Sequence, residues 1–136
     1  MTANRDLARK LFEAYQARDR AFVEQLLAED FAFTSPYDDH IDRVAYFERC
    51  WPNSGEIEKF DFIAFAESGD SVFVLYQCDT KSGSSFRNTE FLTFAAGRLK
   101  SVEVFFGDPP AGVAKADYPA FVDVARQAWE QRLHSM

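Results

Sequence analysis

Two alternating apolar runs in the second half of the chain, joined by a short turn, constrain its fold most strongly. They cover Phe86–Phe94 and Leu99–Phe106, and the turn between them reads Ala95-Ala96-Gly97-Arg98. Alternation of apolar side chains with other residues is typical of strands that have one buried face. A short turn containing glycine between two such runs indicates a hairpin. The chain is therefore expected to contain an antiparallel sheet.

Glu90 falls on an apolar face of this predicted hairpin. Side chains two residues apart in a strand point the same way, so Glu90 shares a face with Leu92 and Phe94. A charged carboxylate buried alone among such groups is strongly unfavourable. Glu90 therefore either lies at a sheet edge and reaches water or faces an interior pocket. We predict that it faces the pocket, where desolvation without a nearby cation raises its pKa and keeps it at least partly protonated at neutral pH.

The rest of the chain changes from helical to strand periodicity at Glu56, and its elements belong to an α+β protein. The predicted elements are helices Asn4–Arg18 and Arg20–Ala28, a short strand Phe31–Ser35, a helix Ile41–Trp51, strands Glu56–Ala66, Ser71–Thr80, Phe86–Phe94 and Leu99–Phe106, and a last helix from Asp117 to about His134. No repeat or linker interrupts this order. Residues 1–136 are therefore expected to form a single domain.

Composition and charge exclude several kinds of partner. The net charge is −7 and no basic patch or nucleic-acid motif is present, so we expect no nucleic acid as a partner. No apolar run is long enough to cross a bilayer, and the polar start does not resemble a secretory signal. Cys50 and Cys78 have no zinc-site spacing, and the histidines His40 and His134 lie far apart in sequence. We expect free thiols in a reducing cytoplasm and no metal site.

The order of elements, the short strand ending at Pro36 and the closing Phe105-Phe106-Gly107 resemble the nuclear transport factor 2-like superfamily. Within it, the chain is most similar to the SnoaL-like and ketosteroid-isomerase-like branch. The segments that carry the resemblance are LFEAYQARDRAFVEQLLAEDFAFTSP, IDRVAYFERCWP and EFLTFAAGRLKSVEVFFG. It implies a cone with a core at residues 7–107: a curved, mostly antiparallel sheet wrapped around N-terminal helices, with an apolar pocket inside. The last helix, about 117–134, would be an addition to that core.

The resemblance also implies roles at three positions. The isomerases have an aspartate as general base directly before the proline, where this chain has Ser35. Their oxyanion-donating tyrosine on the first helix aligns with Leu11, and Tyr15 lies one turn later. Their protonated aspartic acid aligns with Glu90, or with Thr89 if the hairpin has no one-residue difference. Because one position of three agrees in residue class, classical ketosteroid isomerase activity is not predicted.

Asp38, Asp39 and His40 follow Pro36 in a loop that the resemblance places at the pocket mouth. One interpretation is that a carboxylate caps the next helix by accepting hydrogen bonds from its first N–H groups. The other is that a carboxylate orients His40, so that its second ring nitrogen can transfer a proton. In that case Asp39 or His40 would be catalytic together with Glu90.

Three functions are compatible with these residues. The first is a cofactor-free enzyme that uses acid–base chemistry on a small apolar substrate with a carbonyl or hydroxyl group. The second is a non-catalytic binder with the same pocket, and the third is a dimerisation module whose side chains fill the cone. Tyr15 and Tyr76 could be core residues or hydrogen-bond donors to a ligand. The predicted pocket residues are Tyr15, Phe33, Phe47, Trp51, Tyr76, Val102, Val104 and Phe106.

The predicted strands are apolar on both sides. In the strand Ser71–Thr80, Val72, Val74 and Tyr76 point one way, while Phe73 and Leu75 point the other. A sheet that is apolar on both faces needs both of them covered. We therefore expect a homodimer through the outer face, although the last helix could instead cover that face within one chain.

Overall fold

A computed structural model describes residues 3–107 of the chain. In this part of the chain three α-helices and one 3₁₀ helix accompany six strands. In chain order these are α1 (Asn4–Ala17), α2 (Arg20–Leu26), β1 (Leu27–Ser35), β2 (Asp38–Ile41), α3 (Arg43–Arg49), the 3₁₀ helix (Trp51–Glu56), β3 (Ile57–Ser68), β4 (Ser71–Thr80), β5 (Ser85–Ala95) and β6 (Arg98–Phe106). The predicted helix at about 117–134 lies outside the described residues. None of the helices described is long and apolar enough to cross a membrane.

The six strands form one open sheet in the order β2-β1-β6-β5-β4-β3. Strands β3 to β6 form the predicted antiparallel meander. Strand β1 pairs with β6 in parallel, so the sheet is mixed. The helices pack on one side of this sheet, as expected for the α+β class.

The hairpin of β5 and β6 forms as predicted. Its two turn residues, Ala96 and Gly97, have φ values of 52° and 77°. Positive φ at both central positions defines the type I′ turn, whose twist matches that of the flanking strands. Alanine pays a steric cost for this conformation and glycine does not. The turn aligns Glu90 with Val104 and Leu92 with Val102 across the hairpin.

The core lies between the helices and the face of the sheet that packs against them, which we call the inner face. The side chains of Leu11 and Phe12 from α1 are buried there together with Val74 of β4 and Leu92 of β5. The opposite, outer face carries Phe73, which is 39% exposed. Alternation along β4 and β5 thus separates the two faces as the sequence predicts.

Strands β1 and β2 differ from the prediction. Leu27 and Ala28, predicted at the end of a helix, belong to β1, where Leu27 is fully buried and pairs with Leu99 of β6. Asp38–His40, predicted as a loop, and Ile41, predicted as the start of a helix, form β2, in which Ile41 pairs with Phe33. In both cases strand pairing overrides the local preference of these residues: Leu27 pairs with the distant strand β6, and Ile41 pairs with the neighbouring strand β1.

A bulge in β3 also alters the predicted faces. The register with β4 shifts between Phe62 and Ala64, which leaves Ile63 without a cross-strand partner and 49% exposed. Phe65, predicted to share a face with Ile63, instead packs against the core beside Phe62, with ring centroids 5.1 Å apart. One extra residue reverses the alternation beyond the bulge.

Candidate functional site

A cavity of about 650 Å³ lies between the inner face of the sheet and the helices. Its walls are mostly aromatic and aliphatic side chains, and its polar groups lie at a few separate places. The lining residues are Leu11, Phe12, Tyr15, Phe33, Tyr37, Tyr46, Cys50, Asn53, Glu56, Ile57, Phe60, Tyr76, Cys78, Thr80, Ser84, Ser85, Phe86, Asn88, Glu90, Val102, Val104, Phe106 and Gly107.

Glu90 projects into this cavity from the middle of β5. Its cross-strand neighbours are Val74 on β4 and Val104 on β6, both buried and apolar. Burial raises the pKa of Glu90 from its ordinary value of 4.5 to about 7, although a hydrogen bond from Tyr76 acts in the opposite direction. The side chain is therefore divided between its neutral and ionised forms near neutral pH.

Tyr76 and Asn88 form a short hydrogen-bond chain with Glu90. The Tyr76 hydroxyl donates to Oε2 of Glu90 at 2.5 Å, and Nδ2 of Asn88 lies 3.4 Å from the Tyr76 oxygen. Tyr76 and Asn88 are opposite each other on β4 and β5, which places both next to Glu90. No described residue forms a hydrogen bond with Oε1 of Glu90, so this oxygen remains able to contact a ligand.

A second polar pair comes from the helices. The hydroxyls of Tyr15 on α1 and Tyr46 on α3 are hydrogen-bonded to each other. Burial is the main cause that raises the pKa of both phenols, and the charge of Glu90 adds to it. Both side chains are therefore neutral phenols at physiological pH and can donate or accept hydrogen bonds.

In the described part of the chain, the charged residues that line the cavity are acidic. No lysine, arginine or histidine is among its lining residues in the described part of the chain, whereas Glu90 and Glu56 both line it. Cys50 and Cys78 also line the cavity, and burial raises the pKa of each thiol to about 12. A thiol with this pKa is a poor nucleophile near neutral pH. Glu90 is thus the lining group best placed to exchange a proton near neutral pH.

The structure brings seven of the predicted site residues to the cavity. These are Glu90, Tyr15, Tyr76, Phe33, Val102, Val104 and Phe106. Their positions follow from the strand alternation and from the helical spacing of α1.

Phe47 and Trp51 do not line the cavity. Trp51 is 7% exposed and packs behind Tyr15, with ring centroids 4.8 Å apart. The guanidinium of Arg20 lies over the ring of Phe47, with 4.7 Å between Cζ of Arg20 and the ring centroid. The predicted stripe on α3 was assigned to the wrong side of the helix, and Val44, a member of it, is 66% exposed.

Tyr46 lines the cavity from α3 and was missed by the sequence analysis. It is 4% exposed and packs against Phe31 and Phe33 of β1. The cavity is also lined by Cys50, four residues after Tyr46, and by Asn53, three residues after Cys50. This is the spacing of residues on one face of a helix. That spacing was the signal that could have identified the correct face.

Asp39 and His40 do not line the cavity. Both lie in β2, where their side chains are 43% and 75% exposed, and Nδ1 of His40 is 2.6 Å from Oδ1 of Asp39. The predicted carboxylate–imidazole contact is therefore present, but on the protein surface. His40 has a φ of 51°, and its N–H donates to Oγ1 of Thr34. The pairing of β2 with β1 fixes this segment away from the cavity.

Asp42, rather than Asp38 or Asp39, caps α3. Its side chain accepts a hydrogen bond from the N–H of Ala45 at 2.9 Å. Asp38 instead contacts Arg49, with 2.6 Å between Oδ1 and Nη2. An N-terminal cap of this kind stabilises a short helix and so fixes the position of Tyr46.

Comparison with solved structures finds the same fold in several proteins. A nuclear transport factor 2-like protein of unknown function from Cytophaga hutchinsonii is 20% identical, with a TM-score of 0.66 over 89% of this chain and 96% of that one. A putative ketosteroid isomerase from Kribbella flavida is 23% identical, with a TM-score of 0.66 over 82% and 84% of the two chains. A putative SnoaL-like polyketide cyclase from a Jannaschia species is 13% identical, with a TM-score of 0.64 over 75% and 83%.

No curated protein matches the chain. A family model does, however, and its description is the SnoaL-like domain. It matches residues 8–102, which extend from α1 to the middle of β6 and include both Tyr15 and Glu90. The open mixed sheet and the helices on its inner face agree with the cone that the sequence resemblance implied. The chain therefore belongs to the SnoaL-like domain family and has the nuclear transport factor 2-like fold.

Proposed function

We propose that the cavity binds a small apolar molecule through a carbonyl or hydroxyl oxygen, and that Glu90 exchanges a proton with it without a cofactor. The observation that carries this proposal is a carboxyl group with a pKa of about 7 in an aromatic cavity. A group whose pKa lies near the working pH can both donate and accept a proton.

The two oxygens of Glu90 would have different roles. Oε2 accepts the hydrogen bond from Tyr76 and is thereby held in place. Oε1 would contact the ligand, donating when Glu90 is neutral and accepting when it is ionised. The neutral Tyr15 and Tyr46 hydroxyls offer further hydrogen bonds from the helix side.

The charge of the wall limits the class of ligand. An anionic ligand would meet Glu90 and Glu56, with no cation among the described lining residues to offset them. A neutral ligand is therefore favoured. The names of two structural neighbours, a putative polyketide cyclase and a putative ketosteroid isomerase, support a small-molecule ligand. Classical ketosteroid isomerase activity is not proposed, because Ser35 has a hydroxyl, hydrogen-bonded to Asp38, where the isomerases have their base.

Binding can be tested with two probes of equal shape, neutral 2-acetylnaphthalene and anionic 2-naphthoate. We expect the neutral probe to quench tyrosine fluorescence saturably and the anion to bind at least about tenfold more weakly. The variant Glu90→Gln should weaken binding of the neutral probe, and Glu56→Gln serves as its matched control at another lining position. Equal affinity for both probes would contradict the proposed site.

Proton transfer needs a separate measurement. In D₂O, the acetyl protons of bound 2-acetylnaphthalene should exchange with deuterium faster than in free solution, as followed by NMR. The acceleration should be lost in Glu90→Gln and kept in Glu56→Gln.

The alternative is a non-catalytic ligand-binding protein. It is favoured by the surface position of Asp39 and His40, which leaves Glu90 without the second proton-transfer group that the sequence predicted. Saturable binding of the neutral probe with no Glu90-dependent deuterium exchange would support this alternative.

We also propose a homodimer through the outer face of the sheet. The rings of Phe73 on β4 and Phe91 on β5 pack against each other there, with centroids 4.5 Å apart. Leu75 and Phe105 extend this apolar patch and are 37% and 49% exposed. Exposed apolar patches spanning several strands usually mark an interface.

Cys50 and Cys78 are both free thiols. We therefore still expect the protein to be located in a reducing cytoplasm.

A further inference from the structure

A second depression lies between α1 and strand β3. Unlike the cavity, it is lined by arginine side chains. It has a volume of about 430 Å³ and is lined by two arginines of α1 and six consecutive residues of β3. We call it the arginine groove. Its lining residues are Arg5, Arg9, Phe60, Asp61, Phe62, Ile63, Ala64 and Phe65.

The two guanidinium groups are held against aromatic rings. Cζ of Arg9 lies 5.0 Å from the ring centroid of Phe62 and 4.9 Å from that of Phe65. Cζ of Arg5 lies 5.2 Å from the same Phe65 ring. Stacking of this kind fixes the plane of a guanidinium while its N–H groups stay available for hydrogen bonding.

Arg5 and Arg9 bring two like charges close together. Arg5 and Arg9 are four residues apart on one face of α1, a spacing at which like charges destabilise a helix. Within residues 3–107, neither guanidinium lies at ion-pair distance from a carboxylate. The acidic residue that lines the groove, Asp61, contacts Lys59 at 3.6 Å.

The open edge of β3 adds hydrogen-bond donors to the same groove. β3 is the last strand of the sheet formed by residues 3–107, so one side of its backbone has no neighbouring strand from this region. At one end of this edge the side chain of Gln16 from α1 accepts a hydrogen bond from the N–H of Phe60, at 3.1 Å. By strand alternation, the N–H of Phe62 is expected on the same side of the strand.

We infer that the arginine groove binds a small oxyanion, a phosphate or a carboxylate, between the guanidinium groups of Arg5 and Arg9 and the open edge of β3. Charge-assisted, bidentate hydrogen bonds from arginine are the usual means by which proteins hold such anions. The anion would also offset the repulsion between the two arginines. The groove would thus bind negative charge, whereas the cavity has no lining cation among the described residues.

The test is an NMR titration of the full chain labelled with ¹⁵N, using sodium phosphate, sodium succinate and sodium chloride at matched ionic strength. Phosphate, succinate or both should shift the backbone amides of Phe62 and Ile63 and the Nε signals of Arg5 and Arg9 saturably. The double variant Arg5→Gln/Arg9→Gln should bind at least about tenfold more weakly. Arg98→Gln, in the exposed β5–β6 turn, is the matched control and should bind like the wild type.

The two anions distinguish the source of the ligand. Saturation by phosphate alone indicates a phosphorylated ligand, and saturation by succinate alone indicates a carboxylate. A double variant that does not fold is replaced by Arg5→Lys/Arg9→Lys, which keeps both charges but loses the planar fork and should also bind more weakly. Shifts of equal size with chloride, or unchanged binding by a folded double variant, would overturn the inference.

Discussion

At the residue scale, the chemistry of the site depends on the neighbours of Glu90. Val74 and Val104 flank it on the adjacent strands and remove water from both sides of its carboxyl group. Tyr76 compensates partly by donating a hydrogen bond to one oxygen. The balance between these effects leaves the pKa at about 7, where a proton can move in either direction.

The variant Glu90→Gln should change how stability depends on pH. The unfolded chain releases the Glu90 proton near the ordinary pKa of 4.5, whereas the folded chain keeps it until about 7. Between these values the folded state binds more protons, so this residue makes the wild type progressively less stable as the pH rises. Relative to Glu90→Gln, the wild type should lose on the order of 3 kcal/mol across this window and lose no more above it.

Urea unfolding of both proteins at about pH 4, pH 6 and pH 8 measures this difference. Other titrating groups are present in both proteins and cancel in the comparison. A difference in free energy of unfolding that stays constant over this range would contradict the burial of the Glu90 carboxyl.

The variant Tyr76→Phe should raise the pKa of Glu90 further. The hydroxyl of Tyr76 stabilises the ionised carboxylate, and phenylalanine removes that hydrogen bond while keeping the ring. The ¹³C shift of the Glu90 carboxyl, followed against pH, reports the change directly. Tyr37→Phe, at another position of the cavity wall, is the control and should leave the midpoint in place. A lower midpoint in Tyr76→Phe would refute the assigned donor.

At the element scale, the wall of the cavity depends on how the end of β6 is attached to β5. The N–H of Gly107 donates to the carbonyl oxygen of Arg87 at 2.9 Å, and Gly107 itself lines the cavity. A Cβ atom at this position would lie 2.2 Å from the same carbonyl oxygen. The close approach of two backbones therefore requires glycine here.

The variant Gly107→Ala should destabilise the protein by about 1–3 kcal/mol, because the strand end must move away from Arg87. Gly55→Ala is the matched control, since its new Cβ would meet Arg18 at 3.7 Å, an ordinary contact. That control should be neutral or stabilising by up to about 1 kcal/mol. Thermal unfolding compares the two variants with the wild type, and equal midpoints for both would show that the strand end relaxes freely.

At the scale of the whole molecule, the sheet has two apolar faces and only one is covered by the described helices. The outer patch contains Phe73 and Phe91 together with Leu75 and Phe105. Its exposure in a single chain is the reason for the proposed dimer.

Sedimentation equilibrium at micromolar concentration should give twice the chain mass of 15.5 kDa. Phe105→Ser should shift the equilibrium toward the monomer, because it replaces an exposed aromatic ring of the apolar patch with a hydroxyl group. Val44→Ser is the matched control, since Val44 is 66% exposed on α3, away from the sheet, and should leave the dimer intact. A wild-type mass of 15.5 kDa would exclude the dimer and leave residues 108–136 as the candidate cover of this face.

The sequence by itself determined the antiparallel meander and which residues share a face with Glu90. Both depend on the two-residue period of a strand and on the short turn at Gly97, which are properties of the local backbone. The inward positions of Tyr76, Val102 and Val104 follow from the same alternation.

Only the tertiary structure decided the remaining parts of the site. Leu27 joins a strand because Leu99, far away in sequence, pairs with it, and the bulge at Ile63 turns Phe65 inward. Tyr46 rather than Phe47 reaches the cavity because the rotation of α3 is set by its packing on β1. Local periodicity specifies which residues share a face, but contacts between elements specify which face is buried.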